Sequence, residues 1–481
     1  MQLEEMTRPR CLLLVVVAAL SACNLTPDYT RPRMDVPATY KESALWKASD
    51  VQAAVVPDDW WTMFGDPELD RLEVQATGAN PTLEGLVAQF RVAQVAIASS
   101  QAALYPTVGL NAGGTRSKTG SASAGTVDSS GNPIGTSGSK PRNVYTLSGS
   151  ASWELDLWGR LSSAVDSAQA RAQASADDLA ASRLSIQATV AQTYFSLRAG
   201  EAQLALLDDT IAAYQRSLDL TRNRYRSGVA SSADVSQAEA QLYSTQAQRI
   251  EAASSRAQLE HALAVLVGQA PAAFTLAPTG KLPEPPAMPA QLPADLLQRR
   301  PDIAAAERRV AAANAQIGVA RAAFFPSLTL SGSAGYRSST LSDIASAPNL
   351  FWSLGPALAL SVFDGGARRA AVASARASTD QAVATYRSTV LTALQEVEDN
   401  LVIGANLEQE QAVQVQALTS ARKALDVANN QYKAGIVSYL NVVTAQSTVL
   451  ASERSLLDVR NRRLAAVNTL LKNIAGRWQG A

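Results

Sequence analysis

Histidine is all but missing from this sequence, with one, His261, in 481 residues. Cysteine occurs only at Cys11 and Cys23, and methionine five times. These shortages exclude a His/Cys metal cluster and make a methionine relay for soft metal ions untenable. Neither a nucleophile elbow nor a phosphate-binding glycine loop occurs, so no enzyme, cofactor or metal is expected. Net charge is absent too, 42 Lys and Arg standing against 42 Asp and Glu, so no polyanion partner such as nucleic acid is implied. Beyond the first 22 residues there is no run of 18 apolar residues. That excludes a helical membrane span but leaves a β-barrel open, because barrel strands carry a weaker, alternating signal. Aromatics make up 6%, low for a compact core and normal for Ala-rich coiled coils.

Proline is missing from 142–270 and again from 357–481. It breaks helix interiors, so two such runs point to long helices. The runs are copies. At an offset of 207, Tyr145 falls on Trp352, Gly159 on Gly366 and Tyr225–Gly228 on Tyr432–Gly435. At an offset of 220, Pro81 falls on Pro301, Ile97 on Ile317 and Pro106 on Pro326. An internal repeat of this kind decides the fold.

From Tyr145 to Leu157 the odd positions are apolar or small and the even ones mostly polar, the period of a strand. Trp352, Leu354, Pro356, Leu358, Leu360 and Val362 share a face in the copy. Long strands with small polar residues on the second face suit a membrane barrel with a wet lumen. The period then changes. Leu204, Leu207, Ile211, Tyr214, Leu218, Thr221 and Tyr225 follow heptad spacing, as do Leu418, Ala421, Leu425, Ala428 and Tyr432. As one helix the run 160–226 spans roughly 100 Å. The returning helix shows its seam at Leu457, Leu464, Val467, Leu471 and Ile474.

Residues 1–22 read as a signal peptide, with Arg8 and Arg10 before an apolar stretch; Glu4 and Glu5 leave Met1 or Met6 open as the start. Leu20-Ser21-Ala22-Cys23 resembles a bacterial lipoprotein box, with Cys23 as the acylated residue. Asn24 in place of an inner-membrane retention aspartate favours the outer membrane. With Cys11 removed and Cys23 acylated, no disulfide forms in the mature chain. Residues 23–58 read as an extended tether and 59–270 as a first repeat. Its strands are predicted near 105–116 and 144–157, its long helices near 158–226 and 232–267. Residues 271–293 form a proline-rich connector. A second repeat over 294–476 has strands near 325–337 and 351–363 and helices near 366–433 and 438–475. The Gly/Ser-rich segment 117–143 reads as an external loop. Packing is the favoured role of Trp60 and Trp61.

The stretch Leu296-Leu297-Gln298-Arg299-Arg300-Pro301-Asp302-Ile303, with Ala306-Glu307, Ile317-Gly318-Val319-Ala320-Arg321-Ala322 and Phe325-Pro326-Ser327, resembles the outer membrane efflux family. This is the TolC superfamily, in its NodT/OprM-like lipoprotein branch. Trp60-Trp61, Asn80-Pro81-Thr82-Leu83 and Trp153 to Arg160 match as well. The resemblance implies an α plus membrane-β fold: a homotrimeric TolC-like duct with four strands per chain in a 12-stranded outer-membrane barrel, and long coiled-coil helices in a periplasmic α-barrel. The residues point the same way, because four strands cannot close a barrel and an open edge cannot face lipid.

The resemblance further implies a passive duct, fed by an inner-membrane pump of the resistance-nodulation-division (RND) type through a periplasmic adaptor. Gly228 and Val229, with Gly435 and Ile436, match the periplasmic tip, where adaptor contact is expected; a glycine also suits a helix stop. Tyr225, Arg226, Asp234 and Tyr432 are candidate gate residues. Two readings of Asp234 stay open, a threefold acidic ring and a local capping box with Ser231. Asn441 and Thr444 stand where family members often carry aspartates, which argues against a strong cation-binding ring. Arg222, Arg224 and Arg226 are expected on solvated faces rather than in gating ion pairs. Drug-like small molecules are the expected cargo. Type I protein secretion and metal export are alternatives, and a structural coiled-coil lipoprotein is the rival from another class.

Overall fold

The structure, a computed structural model, describes residues 25–34, 40–41, 59–118, 141–286 and 300–474. A short 3-10 helix, Trp60–Phe64, precedes α1 (Pro67–Ala79) and α2 (Pro81–Ala102). Strands β1 (Thr107–Ser117) and β2 (Arg142–Leu155) lead into α3 (Arg160–Arg226) and α4 (Ser232–Leu266). The second half repeats the order with α5 (Pro301–Ala322), β3 (Ser327–Ser338), β4 (Leu350–Ala359), α6 (Ala367–Lys433) and α7 (Tyr439–Ile474). Contacts divide the chain into two compact units. One comprises Met1–Arg31, Val92–Ala172 and Arg309–Ala382; the other comprises Pro32–Arg91, Gln173–Arg308 and Val383–Ala481. Each unit takes pieces from both repeats.

The first unit holds the four strands, antiparallel in the order β1-β2-β3-β4. Their register sorts the side chains by face. Leu110 pairs with Gly149, Gly149 with Ala334 and Ala334 with Trp352. On the other face Asn111 pairs with Ser148, Gly335 follows, and Ser333 pairs with Ser353. The apolar face is open: Leu110 is 86% and Trp352 75% exposed. The sheet therefore shows its large apolar side chains outward and its small polar ones on the opposite face, the reverse of a soluble sandwich core. β4 stops at Ala359, short of the predicted 363, and Leu360, Val362 and Phe363 lie exposed beyond the ladder. Ala359 pairs with Ser327, and the preceding residue, Pro326, has no N–H with which to extend the pairing.

The corners between helix and strand are stapled by tryptophans. Trp153 Nε1 donates to Leu104 O at 2.8 Å, and Trp158 Nε1 to Pro326 O at 2.7 Å. The Trp158 ring stacks on Phe325, with centroids 4.7 Å apart. The start of the tether docks in the same unit. Arg321 Nη1 donates to Leu25 O at 3.2 Å and Asn314 Nδ2 to Pro27 O at 2.7 Å. Thr26 Oγ1 lies 2.7 Å from Ser163 Oγ, and a Cβ built at Gly318 would run into it.

In the second unit Asp66 caps α1, accepting from Glu68 N at 3.0 Å, and Pro67 stands at the first helical position. Tyr194 of α3 donates its hydroxyl to the second Asp66 oxygen at 2.6 Å. Asn80 caps α2, accepting from Thr82 N at 2.9 Å, and donates to Leu266 O at 2.8 Å. Trp60, Trp61 and Phe64 are buried, in keeping with a packing role.

The described part of the connector, 271–286, is anchored by a buried charge network. Arg198 Nη1 donates to Glu201 at 2.8 Å and to Ala277 O at 2.9 Å. Arg256 reaches Glu260 at 2.8 Å, Glu201 at 3.2 Å and Leu276 O at 2.8 Å. Phe274 and Leu276 are buried beside it. Arg300, from the Arg-Pro-Asp block, is a second hub. It pairs with Asp302 at 2.8 Å and with Glu396 of α6 at 3.0 Å, and donates to Asn473 Oδ1 of α7 at 3.1 Å.

Candidate functional site: the paired helical turns

Both long hairpins end on the same turn. Gly228 and Gly435 take φ of +74° and +77°, the left-handed conformation that only glycine adopts without cost. Val229 N donates to Arg224 O at 2.9 Å, and Ile436 N to Gln431 O at 2.9 Å. These 6→1 bonds close each helix and leave Val229 and Ile436 with their side chains in solvent. Below the turns Tyr214, Leu218, Leu242, Tyr432, Tyr439 and Val442 form one buried cluster. Tyr432 and Tyr439 meet edge to face at 5.3 Å.

The turns are not equivalent. Tyr432 is 5% exposed, whereas its counterpart Tyr225 is 50% exposed, outside the seam that the heptad spacing predicts. The difference lies one residue earlier. The Arg224 guanidinium sits 4.8 Å over the Tyr432 ring and donates from Nη1 to Lys433 O at 3.0 Å. The reciprocal position carries Gln431, which has no cation to lay over Tyr225. Arg224 therefore clamps one turn to the other.

Arg222 and Arg226 lie on exposed helix faces. Arg222 pairs with Glu239 of α4 at 2.7 Å, an exposed bridge, and Arg226 bonds Asn223. Asp234 takes the local reading. It accepts from Ser231 N at 2.9 Å while Ser231 Oγ accepts from Asp234 N at 3.1 Å, a complete capping box. Cys23, the signal peptide and most of the 117–143 loop lie outside the described residues.

Sequence reasoning passed over one titratable group. Glu73 of α1 is wholly buried, and neither carboxyl oxygen makes a hydrogen bond of ordinary geometry. Burial pushes its pKa up to about 9; the Ala191 backbone pulls the other way and nearby Asp70 adds to the rise. The signal was present in the spacing, since Glu73 shares a helix face with Leu69, Leu72 and Ala76.

This arrangement of an open apolar-faced sheet, long paired helices and twin glycine turns has known counterparts. The family model described as outer membrane efflux protein matches residues 72–269 and 292–476. The chain belongs to that outer membrane efflux protein family. It is 32% identical over 488 aligned positions to the probable efflux pump outer membrane protein TtgC of Pseudomonas putida KT2440, covering 98% of this chain and 96% of TtgC. It is 30% identical to the cation efflux system protein CusC of Escherichia coli, covering 96% and 98%. Among solved structures, the outer-membrane channel OprN superposes with a TM-score of 0.85 at 28% identity, over 95% of this chain and all of that one. The efflux protein is thus an outer-membrane channel with a TolC-like fold, from a family of channels rather than enzymes. Its near-equal identity to TtgC and CusC means that overall similarity does not choose the cargo.

Proposed function

We propose that this efflux protein is the passive outer-membrane duct of a tripartite system, conducting small organic compounds from an inner-membrane RND-type pump and a periplasmic adaptor to the exterior. It has no enzymatic role in this reading. The observation that carries it is the open sheet. Among the described residues β1 and β4 are unpaired edges, and such edges are not tolerated against lipid. With four antiparallel strands, β4 of one copy meets β1 of the next in the antiparallel sense. Three copies close a 12-stranded barrel, and acylated Cys23 anchors each copy in the same membrane. The two repeats then supply paired coiled coils running to the turns. Gly228, Val229, Gly435 and Ile436 form the adaptor contact. Tyr225, Arg226, Asp234 and Tyr432 flank the gate, with Arg224 holding it. Small apolar or aromatic cargo fits a chain with five methionines and one histidine better than soft metal ions do.

A photo-crosslinking amino acid at Val229 or Ile436, activated in cells, tests the assembly. Capture of an RND-associated adaptor is the expected result, with a detergent-resistant species of three chains. Capture of a protein-secretion adaptor moves the cargo to polypeptides. No periplasmic partner at either turn refutes the duct and favours a coiled-coil scaffold.

A further inference from the structure

The register of the sheet sorts its charged side chains as well as its apolar ones. On the face that carries Ser333 and Ser353, the ladder holds three charged residues, Arg142 and Glu154 of β2 and Arg337 of β3. The remaining positions of that face are serine, threonine, glycine, alanine and asparagine, with Val144 and Phe351. Glu154 stands at the end where the strands join the helices, and Arg160 matches it at 2.8 Å. Arg142 and Arg337 stand at the other end, towards the hairpin loops, where Arg142 pairs across the ladder with Ser117 and Arg337 with Thr146. Along β2 these two levels are four residues apart, roughly 13 Å.

Neither arginine has a carboxylate partner among the described residues. Arg337 lies over the Phe351 ring at 5.1 Å, a contact that holds the guanidinium and leaves its charge uncancelled. Asp343, the one acid among the described loop residues, accepts from Thr340 Oγ1 at 2.9 Å. The sequence of the two hairpins, 106–153 and 327–363, sets five basic residues against two acids, Asp128 and Asp343, an excess of three positive charges per chain. The helical turns offer no opposing ring of acids: Asp234 is held in its capping box, and Asn441 and Thr444 are neutral.

We propose that the duct selects anions over cations and that Arg337 and Arg142 set this selectivity near its outer mouth, which rests on the three-copy barrel. Three copies turn each arginine into a ring of three on the inner face. The lumen between them is otherwise lined by small uncharged side chains. Two stacked rings of like charge there raise the local concentration of anions and repel cations. Arg116 serves as the internal contrast, since it lies at the same end but pairs with Asn143 on the apolar face.

Ion selectivity of the full chain in planar bilayers tests this. Across a KCl gradient at about 0.1 M, where charge acts over roughly 10 Å, chloride should set the sign of the reversal potential, with a permeability about threefold or more that of potassium. In about 1 M KCl, where that range falls to roughly 3 Å, the ratio should approach unity. Arg337→Gln with Arg142→Gln should abolish the preference at low salt, and Arg337→Glu with Arg142→Glu should invert it. Arg337→Gln alone, at an exposed position, should move the ratio part of the way and serves if the double variants do not assemble. Arg116→Glu should leave the ratio nearly unchanged. Cation selectivity in the parent, lumen-face variants without effect, or an equal effect of Arg116→Glu overturns the proposal while leaving a conducting duct. No current from the parent or from Arg224→Ala refutes the duct itself, and the proposal with it.

Discussion

Replacing Glu73 by glutamine should stabilise the protein in a pH-dependent way. The buried carboxyl titrates near 9 in the folded chain, against an ordinary value of 4.5. Between those values the unfolded chain has released a proton that the folded chain keeps. Stability therefore falls as pH rises through that window, by about 1.4 kcal/mol per unit. At pH 7 the window has been crossed for 7 − 4.5 = 2.5 units, a penalty of about 3 kcal/mol. Glutamine copies the shape of the neutral acid and does not ionise when α1 opens. Hydrogen exchange of the α1 amides, corrected for intrinsic rates, reads the opening free energy. The Glu73→Gln gain should be near zero at pH 4, grow to about 3 kcal/mol at pH 7 and level off above pH 9. A gain that is the same at pH 4 and pH 7, or a less stable variant at pH 7, would show that Glu73 does not stay protonated in the fold.

Arg224→Ala removes the clamp across the turns and should raise single-channel conductance in planar bilayers severalfold; unchanged conductance would mean that the clamp does not restrict the opening. Gly318→Val forces Thr26 out of its notch and should increase protease cleavage around residues 25–34, with Thr26→Gly restoring protection. Arg198→Met leaves Glu201 buried without its closest partner and should cost about 3–5 kcal/mol, read as a drop in the denaturant midpoint. Faster exchange in 271–286 should accompany it, and a midpoint within error of the parent would rule out an anchoring role for the network.

Much of the architecture was legible because its signals are local. Alternation from Tyr145 into β2 and the heptad of Leu207, Tyr214 and Leu218 follow from the geometry of one strand and one helix. The glycines of the two turns could be read in the same way, since a left-handed residue is required wherever a helix closes on itself. The repeat carried the rest of the topology, because two copies of one order of elements leave little freedom in how the chain returns.

What the sequence by itself determined was the type of each element, the doubling of the unit and, through its motifs, the family. Only the tertiary structure decided which copies of the repeated positions are alike in use. Tyr225 and Tyr432 occupy the same place in the repeat, yet one is exposed and the other lies under Arg224. Arg222 and Glu239 form an ion pair, while Asn429 and Gln446 face an open groove. The same holds for Arg198, Glu201 and Arg256, which no sequence pattern singles out and which anchor the connector. The reason is physical. Periodicity reports which side of an element is apolar, but an arginine's partner is chosen by elements distant in the chain, and burial, which set the charge state of Glu73, exists only once those elements have packed.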